Sequence, residues 1–128
     1  MAAAGSVTVL RLADGDRWSQ SAPPWSALSA AGWFRLSAAG YRFDRHFHDC
    51  AEYWAVTEGR ARVAVGADEF DVGPGDLVCT PAGTEHDIVA VYGSDLALFF
   101  AEEAVPAGGD AGHRHRDPAT AWHEVPLR

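Results

Sequence analysis

Three histidines and one glutamate carry the most distinctive side-chain chemistry in the chain. The segment His46-Phe47-His48 places two imidazoles two residues apart, and Glu52 follows after three residues. In a β-strand, residues i and i+2 point to the same face, about 7 Å apart, so both imidazoles can reach one ion. Glu52 opens the next predicted strand, and His86 begins another. Three neutral imidazoles and one carboxylate suit a divalent cation and leave coordination positions open for water, oxygen or substrate.

The elements that must position these residues are short strands. Glycines recur between residues 32 and 93, and the runs between them alternate or are rich in β-branched and aromatic residues. Many short strands at close spacing favour a β-sandwich or β-barrel, with little helix. The predicted strands are Val7 to Leu12, Trp33 to Leu36, Tyr41 to His48, Glu52 to Thr57, Arg60 to Val65, Glu69 to Val72, Leu77 to Thr80, His86 to Tyr92 and Leu96 to Ala101.

The chain divides into a central barrel and two flanking segments. Residues 31–104 carry most of the strand pattern, and Gly66-Ala67 is predicted to turn a hairpin. Residues 1–30 hold two tryptophans in a polar, proline-containing stretch, which predicts an extension packed on the barrel or on a partner. Residues 105–128 are predicted to form a tail with a short helix near 117–122, where Asp117 precedes a proline.

Composition excludes several classes of function. The 128 residues carry 10 basic and 18 acidic side chains, and the formal net charge of −8 disfavours nucleic acid and anionic membrane surfaces as partners. All the basic residues are arginine, which excludes a lysine Schiff base and a P-loop lysine. Two cysteines do not make a disulfide scaffold, and the sequence shows no convincing signal peptide or membrane span. The expected compartment is the cytoplasm.

Two spaced motifs resemble those of the cupin superfamily. The first reads Gly40, five residues, His46-Phe47-His48, three residues, Glu52, six residues, Gly59. The second reads Gly75, five residues, Pro81-Ala82-Gly83, two residues, His86, three residues and then Ala90, where the family pattern has asparagine. The resemblance is strong over residues 40–90 and extends to about residue 101.

The resemblance implies an all-β, cupin-type barrel, a jelly roll of two facing antiparallel sheets. It also implies that His46, His48, Glu52 and His86 surround one divalent metal ion (Fe, Zn, Mn, Ni or Cu). The family includes dioxygenases, decarboxylases, isomerases, epimerases, lyases and non-catalytic domains, so the fold leaves the function open. The expected function is a metal-dependent enzyme on a small polar metabolite, either O₂-dependent or using the metal as a Lewis acid. The alternatives are a binding module for a sugar or small metabolite, and a metal-free barrel with ordinary polar histidines.

Further site candidates follow from strand alternation. If His46 and His48 face the barrel interior, Arg42 and Asp44 do so too. Arg42 is then a candidate to bind a substrate carboxylate or phosphate, and the alternative is an ion pair with Asp44 at the rim. Trp54 shares the face of Glu52 and either lines the substrate pocket or fills the core. Glu52 is also a candidate base.

The remaining cysteines and histidines have weaker signals. Cys50 lies between two ligand candidates but reads as a bystander thiol, and Cys79 as a core residue. The histidines of the tail could form a second site or cover the barrel, but their arginine-rich, glycine-flanked setting favours a solvated tail. These residues are His113, His115 and His123.

One apolar strand face requires a cover. Strict alternation places Tyr41, Phe43 and Phe47 on the side opposite the two histidines, where they would expose an apolar patch. The expectation is that residues 1–30 or a second subunit bury this face, and a homodimer is the predicted assembly.

Overall fold

The computed structural model describes residues 5–39, 42–110, 112–120 and 123–124, with Arg42, Thr120, His123 and Glu124 described by their backbone alone. Within these residues the regular secondary structure is almost entirely β-strand. The strands are β1 Ala30–Leu36, β2 Arg42–Phe43, β3 Glu52–Glu58, β4 Ala61–Val65, β5 Asp68–Val72, β6 Leu77–Thr80, β7 His86–Val91, β8 Leu96–Glu102 and β9 His123–Glu124. The helices are α1 Trp18–Ser21 and two 3-10 turns, Leu12–Asp14 and Pro118–Thr120.

The strands form two main antiparallel sheets. One has four strands in the order β1-β8-β3-β6, and the other has three in the order β5-β4-β7, while β2 pairs with β9. The hairpin of β4 and β5 pairs Val65 with Asp68, and its turn at Gly66-Ala67 is as predicted, with Gly66 at φ +61°. The all-β fold with two antiparallel sheets is confirmed. None of the described helices has the length and apolar character needed to cross a membrane.

The core lies between the sheets and is built by strand alternation. On β3, Glu52, Trp54 and Val56 are buried, while the residues between them are half-buried. The largest fully buried apolar side chains are Val63, Ile88 and Val91 from the facing sheet and Leu96 and Leu98 from β8, the neighbour of β3. The apolar interior therefore continues directly into the end of the barrel where Glu52 lies.

Two predicted elements differ in the structure. Residues 7–12 do not form a strand; Val7 and Val9 are exposed, and a 3-10 turn begins at Leu12. Cys79 is exposed rather than in the core, because β6 turns Val78 and Thr80 inward and Leu77 and Cys79 outward. Alternation assigns residues to two faces, and only packing decides which face is the inner one.

The predicted orientation of Phe43 is wrong. The expected strand 41–48 is regular only at Arg42 and Phe43, and His46 and Phe47 form isolated bridges after an unpaired stretch. The period of two is broken there, so Phe43 and His46 both face the interior, with ring centroids 5.5 Å apart. Phe43 is a core residue, 6% exposed. Tyr41 lies outside the described residues.

Phe47 does face away from His46, and residues near the C-terminus cover it. Its backbone N–H donates to the carbonyl of Arg114 at 2.9 Å. The guanidinium groups of Arg114 and Arg116 lie 5.3 and 4.4 Å from the centre of its ring. Phe47 is thereby buried within a single chain, without a second subunit.

Candidate metal centre

Backbone pairing brings the predicted ligands together from different parts of the chain. Glu52 and His86 are the first residues of β3 and β7, at the same end of the barrel. The His46 N–H donates to the carbonyl of His86 at 3.2 Å, and the His86 N–H donates to that of His46 at 2.8 Å. His48 follows two residues later. All four side chains are buried.

The donor atoms converge on one point. One ligand atom from each of His46, His48, Glu52 and His86 lies within 4.8 Å of the others. The Nε2 atom of His86 is 3.0 Å from Nε2 of His46 and 2.9 Å from Oε1 of Glu52. The Nε2 atom of His48 is 3.8 Å from the same carboxylate oxygen.

Backbone carbonyls orient the three imidazoles. The Nδ1 of His46 contacts the carbonyl oxygen of Asp44. The Nδ1 of His86 lies 3.3 Å from that of Thr84, and the Nδ1 of His48 lies 3.2 Å from that of Gly112. A carbonyl only accepts hydrogen bonds, so the Nδ1 atoms carry the protons and the Nε2 lone pairs face the centre.

The charge of the centre fits a cation. The Oε1 atom of Glu52 is buried and makes no hydrogen bond, because its contact with His86 lacks hydrogen-bond geometry. Imidazole Nε2 atoms therefore surround an unsatisfied carboxylate oxygen, and an unsatisfied carboxylate is costly in a protein interior without a positive charge. This donor set suits a divalent transition metal ion.

A second carboxylate, missed in the sequence, lies beside this centre. Glu102 pairs with Glu52 in the register of β8 and β3 and is 7% exposed. Its Oε1 atom is 3.4 Å from Nδ1 of His48, and burial raises the pKa of its carboxyl group. Strand alternation along β8 could have predicted this position, because Glu102 falls on the same face as the inward-facing Leu96 and Leu98.

A cavity of about 160 Å³ adjoins the centre. Trp54, one of the predicted pocket residues, both lines this cavity and packs in the core, where its ring contacts Phe43 and His86. The lining consists of four aromatic side chains, two carboxylates and two imidazoles: Phe34, Phe43, Trp54, Phe100, Glu52, Glu102, His46 and His113.

The other predicted pocket residues have different positions. Asp44 is absent from the described lining of the cavity; its carboxylate contacts His115 Nε2 at 2.6 Å and His113 Nδ1 at 3.4 Å. The side chain of Arg42 lies outside what the structure describes, and so does that of His123. Cys50 is buried beside Glu102, and burial raises the pKa of its thiol, in keeping with a bystander role.

The expected solvated tail is wrong for His113 and His115. The ring of His113 stacks on that of His46, with centroids 3.6 Å apart and an interplanar angle of 9°. Desolvation in this position lowers the pKa of His113. His115 is held by Asp44, as described above. His113 thus adjoins the centre, and His115 contacts Asp44 beside it.

The pH dependence of stability should report the burial of His46. Desolvation, reinforced by the neighbouring His86, lowers the pKa of His46 from 6.5 to about 2. As the pH falls below 6.5, the unfolded state therefore binds more protons than the folded state. Between about pH 6.5 and pH 5 we expect the free energy of unfolding of the metal-free protein to fall by about 2 kcal/mol through His46.

Urea denaturation at the two pH values measures this change. The control is His46→Gln, which removes the contribution of this imidazole and leaves those of other titrating groups, Glu102 included. The loss in the wild type should exceed that in the variant. An equal pH dependence in the two proteins would contradict the low pKa of His46.

Comparisons with known proteins agree with this architecture. A family model described as "Cupin domain" matches residues 32–102. The uncharacterized protein y4oW of Sinorhizobium fredii is 41% identical over 58 residues, which cover 45% of this chain and 27% of that protein.

Solved structures of similar fold come from several bacteria. A cupin 2 conserved barrel domain protein from Rhodopseudomonas palustris has a TM-score of 0.58 and 26% identity, covering 65% of this chain and 56% of that one. The DMSP lyase DddQ from Ruegeria pomeroyi has a TM-score of 0.55 and 25% identity, covering 62% of this chain and 40% of that one. The chain thus spans less than two thirds of the length of each of these relatives.

Proposed function

This chain belongs to the cupin family, and on that premise we propose that it is a metal-dependent enzyme acting on a small metabolite. The observation that carries the proposal is the convergence of three imidazole Nε2 atoms on a buried carboxylate oxygen without a hydrogen bond. His46, His48, Glu52 and His86 would hold one divalent ion. Bound there, such an ion supplies Lewis-acid polarisation of a ligand oxygen or, if it is redox-active, a place for O₂.

The chain's own residues set the conditions for chemistry. The carbonyls of Asp44, Thr84 and Gly112 hold the imidazoles in one tautomer and orientation. Aromatic side chains of the cavity limit the water around a ligand, which strengthens electrostatic interactions there. Glu52 serves as a ligand in this proposal, in preference to its other expected role as a base. Glu102 adds a carboxylate on the cavity wall.

Two functions fit the site, a metal-dependent reaction and binding without turnover. The DMSP lyase DddQ shares the fold at 25% identity, which favours a reaction using the metal as a Lewis acid over an O₂-dependent one. The second candidate is a binding module that holds a small metabolite without turnover. It is favoured by the size of the cavity, about 160 Å³, which leaves little room for two reactants.

Metal analysis followed by turnover assays tests the proposal. Elemental analysis of protein produced with Fe, Zn, Mn, Ni and Cu available should find close to one divalent ion per chain. Each metal is then restored to stripped protein, and product formation from a panel of small hydroxy and keto acids is followed with and without O₂. Product in both conditions supports the Lewis-acid reaction, and saturable binding without product supports the binding module. Protein that takes up none of the metals would overturn the metal-dependent enzyme.

We also propose that the protein is a homodimer, through a surface other than the one expected from Phe43 and Phe47. Trp33 and Leu77, 59% and 60% exposed, extend an apolar row across the outer face of the four-stranded sheet. A free surface of this kind is typical of an interface between proteins. Light scattering should report twice the chain mass, and Trp33→Glu should halve it. A monomeric wild type would contradict the dimer.

The cytoplasm stays the proposed compartment. Cys50 and Cys79 are both free, as expected where thiols are kept reduced.

A further inference from the structure

A segment outside the region matched by the family model lies across residues 46–48, which include two of the proposed ligands. We call residues 112–116 the C-terminal strap. Phe47 and Arg114 exchange two backbone hydrogen bonds, of 2.9 and 3.0 Å. The Arg114 guanidinium also contacts both carboxylate oxygens of Asp49, at 2.9 and 2.8 Å. Arg116 packs over the ring of Phe47. The strap is thus attached through both backbone and side chains.

The strap touches the metal centre at two points. The carbonyl of Gly112 accepts a hydrogen bond from Nδ1 of His48 at 3.2 Å. The ring of His113 stacks on His46, and Asp44 holds His113 at 3.4 Å. These contacts place an aromatic side chain from the strap at a defined position beside the ligands.

His113 also lines the cavity next to the centre. Its side chain is 55% exposed, so it stands where the cavity meets solvent, with one ring face against His46. The cavity measures about 160 Å³. A protein cavity of about 150 Å³ holds one benzene molecule, so the available space suits a ligand of that size.

Size, rather than charge, is the feature by which this cavity can select a ligand. Its described lining residues include no arginine, and the two carboxylates, Glu52 and Glu102, offset the charge that a divalent ion would bring. A strongly anionic ligand therefore finds no counter-charge in the described lining except the ion itself.

We propose that His113, held in place by the C-terminal strap, is a specificity-determining residue that restricts ligands of the metal to small molecules. The inference rests on the proposed function, because it requires an ion at the centre. It assigns the strap to the site itself, although the strap lies beyond residues 32–102, which carry the family match.

Two hydroxamates that present the same chelating group but differ in bulk test the proposal. The full chain is loaded with Co²⁺, and acetohydroxamate and benzohydroxamate are titrated against its visible absorption. Wild-type protein should bind acetohydroxamate at least about tenfold more tightly than benzohydroxamate. His113→Ala should improve the affinity for benzohydroxamate by about tenfold and leave that for acetohydroxamate within about threefold.

The matched control is His113→Phe, which keeps an aromatic ring of similar width and removes both nitrogens. It should retain one Co²⁺ per chain and the wild-type preference for the smaller probe. Loss of cobalt from both His113 variants would make His113 a ligand and overturn the proposal. Equal affinities for the two probes in the wild type would also overturn it while leaving the metal centre intact. A wild type that takes up no Co²⁺ would instead overturn the proposed function.

Discussion

Replacing Glu52 with glutamine will lower the affinity of the protein for a divalent cation by more than about 100-fold, since loss of an outer hydrogen-bond partner of a ligand alone costs about 10- to 100-fold. The variant keeps the shape of the side chain and removes the one negative charge in the ligand set. Oε1 of Glu52 is buried and accepts no hydrogen bond from the protein. The fold of the metal-free variant should therefore be at least as stable as that of the wild type.

Glu58→Gln is the matched control for this prediction. Glu58 ends the same strand, its side chain is 61% exposed, and its partner Arg35 lies 2.9 Å away at the surface. A surface ion pair of this kind contributes about 0–1 kcal/mol, so both stability and metal affinity should stay close to wild type. Competition with a chromophoric chelator measures the affinities, and thermal denaturation in EDTA compares the folds. A Glu52→Gln protein with wild-type affinity would show that Glu52 is not a ligand.

Among glycine-to-alanine substitutions, we expect Gly59→Ala to destabilise the protein most, with a loss of about 3 kcal/mol or more in the free energy of unfolding. Gly59 has φ +78°, where a side chain costs about 1–2 kcal/mol. An added Cβ would lie 2.3 Å from the carbonyl oxygen of Asp95 and 3.0 Å from Cα of Leu96. Both are backbone atoms at the start of β8. Leu96 is fully buried, so these atoms cannot move aside without a large cost in free energy.

Gly93→Ala separates the two contributions to this loss. Gly93 has φ +75°, almost the same backbone conformation, but an added Cβ there would meet no atom within 4 Å. It should lose only the conformational part, about 1–2 kcal/mol. Urea denaturation of both variants gives the difference, which is the cost of the close approach between Gly59 and Asp95. Equal losses would mean that the loop before β8 adapts without cost.

Local spacing in the sequence predicted the four residues of the candidate metal centre. Two histidines two residues apart, a glutamate at the start of the next strand and a histidine opening a later one are enough to name the ligand set. The same period of two correctly assigned Trp54 to the face of Glu52. The hairpin turn at Gly66-Ala67 could also be predicted from the sequence, because glycine adopts the positive φ required there.

Phe43 shows where strand alternation stops being informative. The rule of two holds only while the strand is paired, and the pairing lapses between Phe43 and His46. The ring of Phe43 consequently enters the core instead of covering an outer face. The prediction that Cys79 is a core residue was wrong for a related reason, since alternation cannot tell which of two faces is the inner one.

Tertiary structure alone decided which further residues lie beside the four candidate ligands. Glu102 reaches the centre because β8 pairs with β3 in the register that sets it opposite Glu52. His113 reaches it because the C-terminal strap pairs with Phe47. Local patterns report which face of an element a side chain occupies. Contacts between segments distant in sequence depend instead on the packing of the whole chain, and this packing set the composition of the cavity wall and the position of His113 against His46.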